Sequence, residues 1–142
     1  MAPVLTLTDN PDATAAAVIE NGLSRFNAEQ AGYWDWRALA VLASNPATGE
    51  TLGGLLGRTS LGLFFIDLIY LPDSLRGSGI GGRMMQQAEA EAIARGCSAA
   101  VLYTISFQAP GFYEKLGYRR FGQIDCQPTG TSRIFMSKQL AH

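Results

Sequence analysis

The chain has 142 residues, 47% of them hydrophobic and only 16% charged, with a formal charge of −1. That length fits one domain, residues 1–142, around a single core, and the composition excludes a disordered tail or low-complexity linker. Eleven Lys and Arg against twelve Asp and Glu give no general electrostatic reason to bind nucleic acid or an anionic membrane, so any anion must be held by a local device.

In chain order, residues 4–7 alternate apolar side chains with Thr behind Pro3, the pattern of a short edge strand. Residues 11–25 repeat Ala, Val, Ile and Leu at helical spacing, with Asn10 or Asp12 as N-cap. A second helical piece or loop then runs to Gly32. Residues 35–43 and 51–58 read as an antiparallel hairpin across the Asn45-Pro46-Ala47-Thr48-Gly49 turn. Residues 61–71 form a nearly continuous apolar run, read as a strand buried on both faces of a sheet, with Asp67 conspicuous inside it. It falls well short of the ~20 residues needed to cross a bilayer, and no membrane association is expected. Residues 80–95 form an amphipathic helix capped by Gly96. Residues 99–105 are a buried strand, 110–116 a short helix with Pro in its first turn, and 118–123 and 133–137 the closing strands. The step from 61–71 through 80–95 to 99–105 suits a parallel crossover, which makes a mixed sheet.

Several chemistries drop out. The only histidine is the terminal His142, which sets histidine triads aside. Cys97 and Cys126 have neither a C-x-x-C partner nor ligand spacing, so no metal site is expected and neither cysteine receives a role. Without an export core before Arg25 the expected location is the reducing cytoplasm.

Nine of the 16 glycines fall between Gly49 and Gly82, densest in Arg76-Gly77-Ser78-Gly79-Ile80-Gly81-Gly82-Arg83. A helix start leaves about four amides unpaired, and this one carries no carboxylate in its first turn, glycines that let an anion approach, and Arg76 and Arg83 beside it. The pattern reads as a phosphate cradle, against the alternative of a glycine-rich turn packed on the sheet. A Walker A loop needs Lys and Ser or Thr where Arg83-Met84 stand, and a dinucleotide fold needs an acid that ends the next strand, which 98–106 lacks.

Arg76-Gly77-Ser78-Gly79-Ile80-Gly81 resembles the R/Q-x-x-G-x-G/A motif of the GNAT acetyltransferase superfamily, and Gln108-Ala109-Pro110-Gly111-Phe112-Tyr113-Glu114-Lys115-Leu116-Gly117-Tyr118 resembles its F-Y-E-K-x-G-F/Y block. The resemblance spans the predicted element order and is most specific from Ile66 to Tyr118. It implies an α/β fold with a mixed, mostly antiparallel sheet, one splayed parallel strand pair and flanking helices. It also implies acetyl-CoA as cofactor, held by Arg76, Gly77, Ser78, Gly79, Ile80, Gly81 and Gly82 at the pyrophosphate and by Leu68, Ile69, Tyr70 and Leu71 along the thioester. Phe112 and Lys115 join this set, and Ser106 or Gln108 stands where many relatives place an Asn. The implied reaction is N-acetylation of a primary amine on a small molecule, peptide or protein, with a homodimer common among such proteins. A non-catalytic acyl-CoA sensor on the same scaffold is the alternative. Tyr113 matches the tyrosine that protonates the leaving thiolate, its other role being core packing. Asp67, if buried, would have its pKa raised toward that of a base; otherwise it pairs with an arginine or leaves proton loss to water. Tyr33, Trp34 and Trp36 are read as walls for the acceptor, or as core or dimer contacts.

Overall fold

The computed structural model describes residues 1–140; the terminal His142 lies outside them. By its contacts the chain divides into two units, Met1–Trp34 and Asp35–His142. In the first, Asp12 caps helix α1 (Ala13–Ala31) by accepting from the Ala15 amide at 2.7 Å, and Gly32, left-handed at φ 86°, ends it. The helix is one continuous element, because nothing between Phe26 and Ala31 breaks it. Residues 4–7 form no strand: their alternation lacks a ladder partner, and an unpaired strand gains no hydrogen bonds.

The second unit is a six-stranded sheet in the order β1-β2-β3-β4-β6-β5. Its strands are β1 (Arg37–Ser44), β2 (Thr51–Ser60), β3 (Leu63–Tyr70), β4 (Ala99–Ile105), β5 (Arg119–Cys126) and β6 (Thr131–Gln139). Every neighbouring pair is antiparallel except β3 and β4. Helices α2 (Ile80–Ala94) and α3 (Pro110–Lys115) complete the unit, and this is the mixed, helix-flanked sheet expected from the sequence. The third strand starts two residues later than its apolar run, because Leu61 and Gly62 turn the chain at φ 49° and 84°. Asp35 holds that turn by accepting from the Leu61 amide at 2.9 Å.

One sheet face carries the core. Leu39, Leu55, Phe64, Ile66, Ala100, Leu102, Ile134 and Met136 pack with Met84, Met85, Ala88 and Ala92 of α2. Arg95 ties the end of α2 to the first hairpin through the Ala38 carbonyl at 3.0 Å and the Thr59 hydroxyl at 3.1 Å. No helix in the described residues is long and apolar enough to cross a membrane. Leu55 sits in the core fully buried, and Leu55→Ala is expected to lower stability by about 3 kcal/mol in urea unfolding, through lost burial plus the cavity left behind.

Candidate active site

After β3 the chain makes a single 3-10 turn (Asp73–Leu75) and enters α2 through Arg76, Gly77, Ser78 and Gly79. Gly77 and Gly79 take positive φ, 77° and 81°, a region where other residues are strained. The Ser78 hydroxyl donates to the Leu75 carbonyl at 2.5 Å and tightens the loop. No side chain caps α2 and no acid stands in its first turn, so the amides of Ile80, Gly81 and Gly82 have no partner within the helix. A Cβ at Gly77, Gly79 or Gly82 would meet nothing within 4 Å, whereas one at Gly81 would press the Phe112 ring at 3.2 Å. The first three glycines therefore keep backbone open to a ligand, and Gly81 admits α3. Arg76 is partly committed to the loop, pairing with Asp73 at 2.9 Å and donating to the Leu71 carbonyl at 3.0 Å. Arg83 is exposed on the first turn. A cradle of amides with two adjacent guanidinium groups fits the diphosphate of coenzyme A.

On the other side of the loop, β3 and β4 pair only at Leu63, Phe64 and Phe65 against Ala99, Ala100 and Val101. Past that point they separate. Opposite β2, Leu68 faces Leu56 and Ile66 faces Gly57, so Asp67 is an extra residue, a β-bulge. A bulge reverses the alternation of a strand. Phe64 and Ile66 point into the core before it, Ile69 and Leu71 pack on the core after it, and Asp67, Leu68 and Tyr70 are left exposed. The expectation of a strand buried on both faces is thus corrected: only its first half is enclosed.

The gap is a cleft of about 120 Å³ lined by Ile66, Asp67, Leu68, Ile69, Leu102, Tyr103, Ile105, Gln108 and Tyr113. Peptide groups of β3 that face the gap have no strand to pair with and are available to a ligand. Asp67 does not have the burial expected of a base. Its side chain is 45% exposed and ion-paired with Arg58, whose guanidinium lies 4.7 Å over the Phe65 ring.

Tyr113 reaches the cleft from α3, wedged edge-on between Phe112 at 5.1 Å and Tyr118 at 6.0 Å. Burial pushes its phenol above the ordinary value, which keeps the hydroxyl protonated. Behind it stands a network that the sequence did not single out. The Tyr118 hydroxyl donates to one oxygen of Glu89 at 2.8 Å, and Lys138 donates to the other at 2.7 Å. It joins α2, the α3–β5 turn and β6. Its only linear trace is a Glu on the apolar side of α2.

Of the two residues proposed for the missing Asn, Ser106 spends its hydroxyl on the Ser132 amide at 3.0 Å, extending the β4–β6 pairing. Gln108 lines the cleft, its oxygen held by the Ile105 amide at 2.9 Å and the Thr104 hydroxyl at 3.0 Å. Lys115 is exposed at the end of α3. Trp36, 52% exposed before β1, is not among the residues that line the cleft, and Tyr33 and Trp34 are exposed at the end of the first unit. Ile66, Leu102, Tyr103 and Ile105 line the cleft without having been singled out, because 61–71 and 99–105 each read as a uniformly buried strand. Cys97 is buried, and that burial raises its thiol pKa, while Cys126 is partly buried.

Comparison with known proteins agrees with this geometry. A family model described as Acetyltransferase (GNAT) domain matches residues 35–120. The chain is 32% identical over 133 residues to acetyltransferase Atu2258 of Agrobacterium fabrum, covering 94% of this chain and 96% of that one. It is 38% identical over 93 residues to blasticidin-S acetyltransferase of Streptomyces morookaense, covering 65% of this chain and 68% of that one. A crystal structure from Agrobacterium tumefaciens superposes with a TM-score of 0.89 at 31% identity, over 96% of this chain and 99% of that chain. The protein belongs to the GNAT acetyltransferase family. It is an acetyl-CoA-dependent acyltransferase, and such an enzyme takes an amine acceptor.

Buried Tyr118 and partly buried Tyr113 set an alkaline limit. Tyr118, like Tyr113, has its phenol pushed up by burial, and the Glu89 carboxylate adds to the effect. Both phenols hold their protons more tightly folded than unfolded, so stability is complete below about pH 10 and falls as pH rises past it. Urea midpoints taken from pH 8 to 11 should decline, and Tyr118→Phe should flatten the decline while lowering stability at neutral pH by about 1–3 kcal/mol through the donor taken from Glu89.

Proposed function

We propose that the protein moves the acetyl group of acetyl-CoA directly to the primary amine of a small molecule, with the parted strands beside Tyr113 as the reaction centre. Supporting this reading are the Asp67 bulge, the open amides of the glycine loop on the same strand-to-helix connection, and a protonated Tyr113 lining the cleft. An amine-bearing peptide or protein would use the same groups, but a cleft of about 120 Å³ and the antibiotic named in one relative favour a small acceptor.

When bound, acetyl-CoA supplies a thioester carbonyl activated for attack. The amides from Gly79 to Gly82 bind its diphosphate, and Arg83 adds charge. Leu68, Ile69 and Gln108 orient the pantetheine arm, with the gap-facing peptide groups of β3 polarising the carbonyl. The acceptor nitrogen forms the new C–N bond as the C–S bond breaks. Asp67, fixed by Arg58, orients the amine, whose proton leaves to water at the open mouth. Tyr113 gives its proton to the departing sulfur and recovers one from solvent.

Turnover of an amine panel, read by thiol release, tests the assignment together with calorimetric titration of acetyl-CoA. Tyr113→Phe should lower kcat about a hundredfold with the acetyl-CoA dissociation constant nearly unchanged. An unaffected kcat would remove Tyr113 from the reaction, and absence of acetyl-CoA binding by the native protein would sink the whole reading.

A further inference from the structure

The face of the sheet opposite α2 carries an aromatic surface continuous with the cleft. Tyr103 belongs to both: it lines the gap and is 51% exposed. Across the ladder it faces Phe135, ring to ring at 5.8 Å. Beyond Phe135 the register of β5 slips between Arg120 and Gly122, so Phe121 is a bulge residue. It stands 62% exposed with its ring 6.3 Å from that of Phe135, a side chain re-aimed by the extra residue. Gly122, opposite Phe135, leaves only its hydrogen atoms beneath that ring.

The charge on this surface is one-sided. Arg133 is exposed and lays its guanidinium over the Tyr103 ring at 5.5 Å, yet it enters none of the ion pairs among the described residues. A guanidinium stacked in this way keeps its N–H edge free for a carboxylate or phosphate. Across the gap, the Asp67 carboxylate is taken by Arg58. Aromatic rings beside an unspent guanidinium, reached through the wall of the reaction cleft, make a subsite for a particular kind of molecule.

From this arrangement we infer that Tyr103, Phe121, Phe135 and Arg133 form an acceptor platform selecting amines that carry a planar unsaturated ring and an anionic group. The inference rests on the acyl-transfer reading and names the acceptor class for that same cleft. The ring packs on the exposed Phe121 and against the open edge of Tyr103, whose face Arg133 covers; the anion meets Arg133, and the amine extends past Tyr103 into the gap.

Three matched probes test it: 4-(aminomethyl)benzoate, benzylamine, which lacks the anion, and trans-4-(aminomethyl)cyclohexanecarboxylate, which lacks the planar ring. The native protein should prefer the first by about tenfold in kcat/KM over either of the others. Arg133→Gln should bring the ratio of benzoate to benzylamine to about one, and Phe121→Ser should shrink the ratio of benzoate to its cyclohexane counterpart. Equal use of benzoate and benzylamine by the native protein, or a ratio that Arg133→Gln leaves intact, overturns the platform. So does acetyl-CoA binding without acetylation of any probe, an outcome that leaves the cradle standing. If acetyl-CoA itself does not bind, the acyl-transfer reading falls and the platform with it.

Discussion

Asp67 gives β3 one residue more than the stretch of β2 it faces, and within the same few residues the ladder to β4 stops. Paired strands have no room for a substrate, because their peptide groups are spent on each other. A parted pair has both room and unspent peptide groups, but it needs something to hold it apart. Here β2 holds β3 on one side through Tyr70, and β6 holds β4 on the other through Ile105. Each wall is anchored outward, so the two strands are held apart from both sides.

The glycine loop solves a separate problem with the same strand. A chain of net charge −1 cannot attract a polyanionic cofactor by its overall field, so recognition falls to a few oriented dipoles at the start of α2. Arg76, held by Asp73 and the Leu71 carbonyl, does more to shape the loop than to advertise charge. Phe112 against Gly81 then sets α3 on the first turn of α2. The distance between cradle and phenol is thereby fixed by packing, which is stiffer than a loop.

Much of this was readable in one dimension, and the failures have physical causes. The glycine loop, α2 and the Phe112-Tyr113 block announce themselves by composition and spacing, and β4 begins and ends where its apolar run does. The bulge does not. An apolar run looks the same whether or not one of its residues slips the ladder, so Leu68 and Tyr70 read as buried when they are exposed. Leu61 conceals a turn because left-handed backbone is rarely given to leucine, and only Asp35, remote in sequence, makes it tenable. Glu89 and Lys138 are separated by 49 positions, and no local pattern connects them. Residues 4–7 show the opposite case: their alternation mimics a strand, but no neighbouring strand pairs with them.

The sheet order also has a consequence for how the molecule is made. β4 lies between β3 and β6, and β6 is the final strand in chain order. While the chain emerges from a ribosome, everything that lines the cleft is out by Tyr113, yet β4 is then attached only by its three parallel pairings to β3. Its long antiparallel partner begins at Thr131. The far wall of the cleft therefore gains its backing only once β6 has been made, and until then β4 presents an unprotected edge to any neighbouring strand.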